Sequence, residues 1–156
     1  MTPLLLLDVD GVLNPFPDTP AGYSEYSFFP EDEEPVRLCA SHADWLKELG
    51  EAFEIVWATG WGEKANELIC PTFDLPSFPV VVLPPLPFDP AEKVPAVAAF
   101  IGNRPAAWVD DVVTDEARAW AASRPVPTLI VPVDSAQGLT REIVDELLGW
   151  ATALAA

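Results

Sequence analysis

The chain has few of the residues that build disulfide frameworks or transition-metal sites. Its 156 residues include two cysteines and one histidine. Cys39 and Cys70 form no CxxC pair, so we expect buried free thiols rather than a disulfide. One histidine and two cysteines cannot complete a zinc site. We therefore expect His42 to be an ordinary surface residue near the start of a helix.

Positive charge and long apolar runs are also scarce. The chain carries 8 Lys and Arg against 25 Asp and Glu, a formal net charge of -17. Because neutralising phosphates supplies most of the affinity of nucleic-acid-binding proteins, we expect no extended nucleic-acid-binding surface. The apolar runs are too short to span a membrane, and the first residues lack the basic start of a signal peptide. We therefore expect no membrane contact and a cytoplasmic location.

What the chain does contain is enough apolar sequence for one α/β domain over residues 1–156. Half of the residues are apolar, and the length suits a single core. Strand and helix patterns alternate, which predicts a three-layer sandwich with a mainly parallel, Rossmann-like sheet. The predicted strands cover residues 4–7, 53–59, 78–83, 106–111 and 127–133. The predicted helices cover residues 41–49, 63–70, 91–101, 115–123 and 140–154.

Local signals mark the ends of these helices. Polar residues before an apolar stripe cap a helix, and glycine or proline ends one. The signals are Ser41 and Gly50 for the first helix, Pro71 after the second, Asp89 with Pro90 before the third, Thr114 or Asp115 before the fourth, and Thr140 before the last.

An irregular segment, residues 15–40, comes after the first strand. It is rich in proline and aromatic residues and is a poor helix. Residues 23–29 and 36–40 fit the arms of a small hairpin, with the acidic run 31–34 as its solvated tip. Loops of this length are often lids, which favours a flap over the end of the first strand. The alternative is a plain surface loop with a few buried aromatics.

The first strand ends in Asp8, Asp10 and Gly11. In an extended strand Asp8 and Asp10 point the same way, and adjacent carboxylates repel each other unless a cation or proton lies between them. Mg²⁺ suits such oxygen ligands. The alternative is a turn in which aspartate is simply common.

Further reactive side chains lie at the ends of other strands. Thr59 ends the second strand, and Asp110 and Asp111 end a later one. Lys93 lies in the first turn of a helix, where a cation opposes the helix dipole; the alternative is an ordinary surface lysine. Parallel strands end at one edge of a sheet, so we expect these groups to meet there. A nucleophilic carboxylate, a cation, a hydroxyl and further acids are the groups that phosphoryl transfer requires.

The ordered set Asp8-Val9-Asp10-Gly11-Val12, Thr59, Lys93 and Asp110-Asp111 resembles the haloacid dehalogenase-like (HAD) superfamily of phosphohydrolases. The resemblance implies Mg²⁺, bound by the side chains of Asp8 and Asp111, by the backbone carbonyl of Asp10, and by Asp110 directly or through water. It implies that Asp8 is the nucleophile and Asp10 the general acid/base. Thr59 and the N–H of Gly60 would hold the phosphoryl oxygens, and Lys93 would steady the phosphoaspartate.

Two shorter stretches, Trp57 to Trp61 and Trp108 to Asp111, are similar to the phosphatase-like domain of some bacterial RNA-repair proteins. The sequence has no insertion large enough for a full cap domain, so we expect a minimal cap or none. We expect Trp57 in the core and Trp61 in the wall of the pocket.

The resulting hypothesis is a Mg²⁺-dependent phosphatase that acts through an aspartyl phosphate. Its substrate would be a phosphorylated small molecule or a phosphorylated nucleic-acid end. Two alternatives are a phosphoacceptor signalling domain and a catalytically silent HAD-like binding module. The phosphoacceptor alternative is weakened by Thr59, because such domains carry their acceptor aspartate after a middle strand.

Overall fold

The structure is a computed structural model that describes residues 2–32 and 34–156. Its strands are β1 (Leu4–Leu7), β2 (Tyr23–Tyr26), β3 (Val36–Cys39), β4 (Glu54–Trp57), β5 (Ala106–Asp110) and β6 (Thr128–Pro132). Its helices are α1 (Ala40–Ala52), α2 (Cys70–Phe73), α3 (Lys93–Ile101), α4 (Asp115–Ser123) and α5 (Arg141–Ala155), with a π-helical turn at Ala65–Ile69 and a 3-10 turn at Pro90–Glu92. Within the described ranges, no helix combines the length and apolarity needed to cross a bilayer.

Four parallel strands form the central sheet in the order β4-β1-β5-β6. Strand β1 pairs with β4 on one side and with β5 on the other, in matched register along its whole length. Its four leucines are all buried, because the strand is covered on both faces and both edges. The predicted parallel α/β sheet is confirmed, and its last strand, β6, lies at the edge as its prolines indicate.

The side chains on the two faces of the sheet belong to separate cores, because successive side chains of a strand point to opposite faces. Leu5 and Leu7 belong to the larger core, which also contains buried residues of α1 and α5. Leu4 and Leu6 belong to the smaller core, which contains Val97 of α3 and residues of α4. The three predicted layers are therefore helices, sheet and helices.

The predicted flap is a two-stranded antiparallel hairpin of β2 and β3, in which Tyr23 pairs with Cys39. Arg37 of β3 is buried and anchors the hairpin: its guanidinium donates to Thr19 Oγ1 at 2.8 Å and to Glu34 Oε2 at 2.8 Å. Asp32 and Glu34 of the acidic run are exposed, as expected, and Glu33 lies outside the described residues.

The predicted strand 78–83 is wrong. Val80 alone makes a backbone bridge, to Trp57, and the described structure assigns no strand there. Prolines at 76, 79, 84 and 85 remove amide donors from this stretch, so a ladder cannot extend. Asn66 holds the stretch instead, since its side chain accepts from the N–H of Phe78 and donates to the carbonyl of Phe78, each at 2.9 Å.

The boundaries of the first two predicted helices need correction. Helix α1 begins directly after β3, so Ser41 lies inside it and Cys39 is a cap residue without a side-chain hydrogen bond. Gly50 is also inside this helix, which ends with the N–H of Phe53 donating to Leu49. Pro71 opens α2 rather than ending a helix, because the preceding turn is π-helical and the first turn of a helix tolerates proline.

The later helix starts agree with the sequence signals. Asp89 Oδ1 accepts from the N–H of Ala91, with Pro90 in the first turn. Thr114 caps α4 by accepting from Ala117, and Thr140 caps α5 by accepting from Ile143. Cys39 and Cys70 are free thiols, as predicted; Cys70 is buried and Cys39 half-buried.

His42 is buried, with 1% of its surface exposed, so the expectation of a surface residue is wrong. It begins an i, i+4, i+7 stripe with Leu46 and Leu49 on the buried face of α1. Its Nε2 lies 2.9 Å from the carbonyl oxygen of Leu139, which places the proton on Nε2. Nδ1 is buried, and none of the described residues offers it a hydrogen-bond partner. Burial therefore lowers the pKa of His42, and the Leu139 carbonyl only partly offsets this effect.

We predict that His42 weakens the fold below neutral pH. Its folded pKa is lower than its unfolded pKa, so its contribution to stability is present above about pH 6.5 and is lost as the pH falls below that value. In urea unfolding, wild type should lose stability relative to His42→Gln between pH 7.5 and 5.5, by at most about 1.4 kcal/mol per pH unit. The acidic groups titrate in both proteins and cancel in the difference. A difference independent of pH would contradict this assignment.

Candidate active site

The candidate site lies where three adjacent strands end. Asp8 comes directly after β1, Thr59 lies two residues beyond β4, and Asp110 is the last residue of β5. Because β4, β1 and β5 are parallel neighbours, these ends meet at one edge of the sheet. One cleft of about 810 Å³ is lined by predicted site residues that include Asp8, Asp10, Thr59, Lys93 and Asp111.

Lys93, the first residue of α3, joins two of the acidic strand ends. Its ammonium Nζ lies 2.7 Å from Asp110 Oδ2 and 3.4 Å from Asp8 Oδ2, and it donates to the carbonyl of Ala58 at 3.2 Å. Only 7% of Lys93 is exposed, so the alternative of a surface lysine is wrong. A 3-10 turn capped by Asp89 lies directly before α3, and the side chain of Lys93 lines the cleft.

Three carboxylates cluster around this lysine. Asp8, Asp110 and Asp111 each offer an oxygen, and these atoms lie within 4.8 Å of one another. One ammonium cannot neutralise three carboxylates. Hard divalent cations prefer clustered carboxylate oxygens, so the donor set fits such an ion.

The pKa shifts of these side chains reflect the excess of carboxylates over cations in the cluster. Burial, together with the charges of Asp110 and Asp111, raises the pKa of Asp8 well above its usual value, although Lys93 opposes the rise. Burial and the neighbouring Asp110 raise the pKa of Asp111 to about 6. Burial alone would lower the pKa of Lys93, but Asp8 and Asp110 outweigh it and raise this pKa. A bound cation would oppose the rise in the pKa of these carboxyl groups, because it favours their ionised form.

Asp110 and Asp111 differ in their protein contacts. Asp110 Oδ2 is paired with Lys93, and Asp110 Oδ1 accepts from the N–H of Val112 at 3.0 Å. The carboxylate of Asp111 packs against Gly11, whose φ is +80°. A Cβ at Gly11 would overlap the side chain of Asp111, so only glycine fits this turn.

Asp10 lies outside the carboxylate cluster. Strand β1 ends at Leu7, so the expected alternation along a strand does not orient Asp8 and Asp10. Asp8 is buried and Asp10 is exposed, yet both face the same cleft. Asp10 Oδ1 accepts from Asn14 Nδ2 at 2.9 Å and from the Trp61 indole at 3.1 Å. The predicted contact of its backbone carbonyl with a metal stays a prediction.

The turn after β4 supplies a hydroxyl and backbone donors. Thr59 is buried, and its Oγ1 accepts from the N–H of Trp61 at 3.2 Å. Thr59, Gly60 and Trp61 all line the cleft, so Trp61 lies where the sequence predicts. Trp57 is fully buried, also as expected, and its indole donates to Asn66 Oδ1 at 2.8 Å.

The walls of the cleft are largely aromatic and apolar, with two further cations. Phe29 and Arg37 come from the flap, and Lys64 lies just beyond the Thr59 turn. Leu86 is 68% exposed at the rim. Sequence reasoning identified neither Lys64, which lies in a predicted helix where surface lysines are common, nor Asn14, which lies after the first strand without a periodic pattern. Asn14 carried one signal, its position in the turn after Asp10 and Gly11.

Comparisons with known proteins agree with this geometry. Residues 4–144 match the profile of a family described as the HAD domain in Swiss Army Knife RNA repair proteins. The chain also matches the crystal structure of a hypothetical protein from Xanthomonas campestris, with a TM-score of 0.53 and 15% identity over 96% of this chain and 82% of that chain. At that identity the likeness shows the fold alone. No curated protein sequence matches the chain.

We predict that Gly11 is required for a competent carboxylate cluster. Gly11→Ala should displace Asp111 and abolish most of the rise in melting temperature that millimolar Mg²⁺ produces. Gly22→Ala is the matched control, because Gly22 also has a positive φ, +88°, but open space at its Cβ. Both variants should lose about 1 kcal/mol of stability to backbone strain. Gly11→Ala should lose more than Gly22→Ala, because its Cβ also overlaps Asp111. Equal responses of the two variants to Mg²⁺ would contradict the close contact between Gly11 and Asp111.

Proposed function

We propose, from the premise that this chain belongs to the family of HAD domains found in Swiss Army Knife RNA repair proteins, that it is a metal-dependent phosphohydrolase. HAD domains are generally hydrolases. The proposed reaction is hydrolysis of a phosphate monoester through an aspartyl phosphate on Asp8. One observation carries it: the buried Lys93 ammonium lies between Asp8 and Asp110, at the edge of a three-carboxylate cluster that opens into a cleft.

Asp8 is suited to nucleophilic attack by its position and its neighbours. Its Oδ1 accepts from the N–H of Val9 at 2.8 Å, which fixes the carboxylate plane. Its Oδ2 faces Lys93, whose charge favours the ionised form that attacks phosphorus. Attack forms the bond from Asp8 to phosphorus and breaks the bond from phosphorus to the leaving oxygen.

Asp8 and Asp111 are the residues that would hold Mg²⁺ directly, because both line the cleft, whereas Asp110 is not among the described residues that line it and is held by Lys93 and the N–H of Val112. Asp110 would complete the set or hold a bound water. When bound, the cation supplies positive charge that neutralises the phosphoryl group and the clustered carboxylates.

Thr59, Gly60 and Lys93 would bind the phosphoryl oxygens. Thr59 Oγ1 already accepts a backbone hydrogen bond, so its own hydroxyl hydrogen is available for donation. The N–H of Gly60 lies in the same turn, and the ammonium of Lys93, at the start of α3, contributes positive charge. Such donors stabilise charge on the transferring group because they are fixed before the reaction.

Asp10 would act as the general acid and base. As the acid it gives a proton to the leaving oxygen. It then takes a proton from the water that attacks phosphorus, and the bond from phosphorus to Asp8 breaks to release inorganic phosphate. Its exposed position at the cleft, away from the buried cluster, suits contact with a leaving group and with water.

The proposed substrates are phosphorylated small molecules or phosphorylated nucleic-acid ends. The aromatic wall formed by Phe29 and Trp61 supports leaving groups with a flat face. Lys64, in the same cleft, supports additional negative charge, whereas the guanidinium of Arg37 is already paired with Glu34. The net charge of -17 opposes long nucleic-acid contacts, so only an end would enter the cleft.

We predict that Asp8 and Asp10 differ in the step they control. With p-nitrophenyl phosphate and Mg²⁺, Asp8→Asn should form no phosphoenzyme and lose turnover by at least about 10³-fold, since the nucleophile is removed. Asp10→Asn should still form the phosphoenzyme but hydrolyse it about 10²-fold more slowly, since the base is removed. Asp44→Asn, which removes an exposed carboxylate of α1, is the control and should match wild type.

Mass spectrometry of the quenched enzyme locates the phosphoryl group, and a panel of sugar phosphates and of 3′- and 5′-phosphorylated oligonucleotides ranks substrates. A label on any residue other than Asp8 would contradict the assignment. A stable phosphoenzyme in wild type would favour a phosphoacceptor signalling domain. No turnover across the panel would favour a silent binding module.

A further inference from the structure

The Asp10 carboxylate is held by two side-chain donors that converge on one of its oxygens. Asn14 Nδ2 and Trp61 Nε1 reach Asp10 Oδ1 at 2.9 Å and 3.1 Å. A carboxylate oxygen has two lone pairs, so these bonds fill Oδ1. In the described part of the chain no protein donor reaches Oδ2 of Asp10. The two oxygens of this carboxylate are therefore unequal before any substrate binds.

The orientation of the Asn14 amide is fixed by the flap. Asn14 Oδ1 accepts from the backbone N–H of Arg37 at 2.7 Å, and a backbone N–H can only donate. The amide nitrogen of Asn14 must therefore face Asp10. Arg37 is itself anchored in β3 by its buried guanidinium, so this donor is held by the hairpin.

The orientation of the Trp61 indole is fixed by the flap as well. Its ring meets the ring of Phe29 edge to face, with centroids 5.2 Å apart. Phe29 lies between β2 and β3, and the ammonium of Lys64 lies 5.7 Å from the centroid of the Phe29 ring. Both donors to Asp10 are thus tied to the same hairpin.

We propose that Asn14 and Trp61 are positioning residues that hold Asp10 so that Oδ2 alone exchanges protons with the leaving group and then with water. The proposal rests on the proposed function, in which Asp10 is the general acid/base. Because Oδ1 is held, the Asp10 carboxyl group cannot rotate and carry the proton on Oδ2 away from the leaving oxygen. General acid–base catalysis depends on such orientation of the acid. It also makes the flap part of the proton-transfer apparatus.

A purely structural role for these bonds is a weak explanation. Asp10 is exposed and Trp61 is only partly buried, and hydrogen bonds between such groups contribute little to stability because water competes for them. Trp61→Phe should therefore leave the free energy of unfolding nearly unchanged, since the ring still packs on Phe29.

The kinetic test compares Trp61→Phe with Trp150→Phe in the presence of Mg²⁺. Trp150 stacks on Phe53, in the core beneath α5, and is remote from the cleft. Two esters are used: p-nitrophenyl phosphate, whose leaving group needs no proton, and glycerol phosphate, whose leaving group needs one. For Trp61→Phe, which also changes the aromatic wall of the cleft, the first turnover of p-nitrophenyl phosphate should slow much less than that of glycerol phosphate. The first turnover of glycerol phosphate, and phosphoenzyme hydrolysis with either ester, should slow about tenfold.

The outcomes separate this proposal from the proposed function. If wild type turns over both esters and Trp61→Phe slows their first turnovers equally, or behaves as Trp150→Phe does, the positioning role is wrong and the phosphatase stands. If wild type forms no phosphoenzyme and hydrolyses neither ester, the proposed function fails, and the catalytic role of this contact fails with it.

A second readout needs no activity. The protein has six tryptophans, and in an NMR spectrum the indole N–H resonance of Trp61 is identified as the one that disappears in Trp61→Phe. In Asp10→Ala this resonance should shift and exchange faster with water, because its acceptor is gone, and in Asp44→Asn it should stay unchanged. An unmoved resonance in Asp10→Ala would contradict the contact itself.

Discussion

The structure depends on the placement of one buried ammonium among three carboxylates. Lys93 neutralises part of the charge of Asp8 and Asp110, and a net negative charge remains in a place that water reaches poorly. Paired and hydrogen-bonded charges tolerate burial, whereas unpaired ones shift their pKa or recruit a cation. The raised pKa values of Asp8 and Asp111 express this imbalance. A divalent cation would resolve it, and the same positive charge would suit a phosphoryl group.

The fold brings these groups together with little help from local sequence. The order β4-β1-β5 places the ends of three strands, distant in the chain, side by side, and α3 returns Lys93 to the same edge. The flap then closes the solvent side, where Arg37 and Phe29 reach the two donors that hold Asp10. The sheet therefore positions the buried charges, and the hairpin positions the exposed acid.

Strand periodicity and capping chemistry are the properties that made much of the fold predictable. They account for the apolar run before Asp8, the parallel sheet and the caps Asp89, Thr114 and Thr140. The flap was predictable from the length and composition of residues 15–40. The failures have tertiary causes. Prolines reduce residues 78–83 to a single bridge, which Asn66 supports from a π-helical turn. His42 is polar, yet it lies on the i, i+4, i+7 stripe that packs inward. The place of Lys93 in the site was predictable from its position in the first turn of α3, but its burial depends on ion pairs that no local pattern encodes.

The central claim is that Asp8, Asp110 and Asp111 form one divalent-cation site. Calorimetric titration with Mg²⁺ tests it most directly, in wild type, in Asp111→Asn and in Asp44→Asn, which removes the same charge from the surface of α1. We expect one site per chain in wild type and in Asp44→Asn, and at least tenfold weaker binding in Asp111→Asn, a loss of about 1.4 kcal/mol or more. Binding of equal strength in wild type and Asp111→Asn, or no saturable binding in wild type, would contradict the claim.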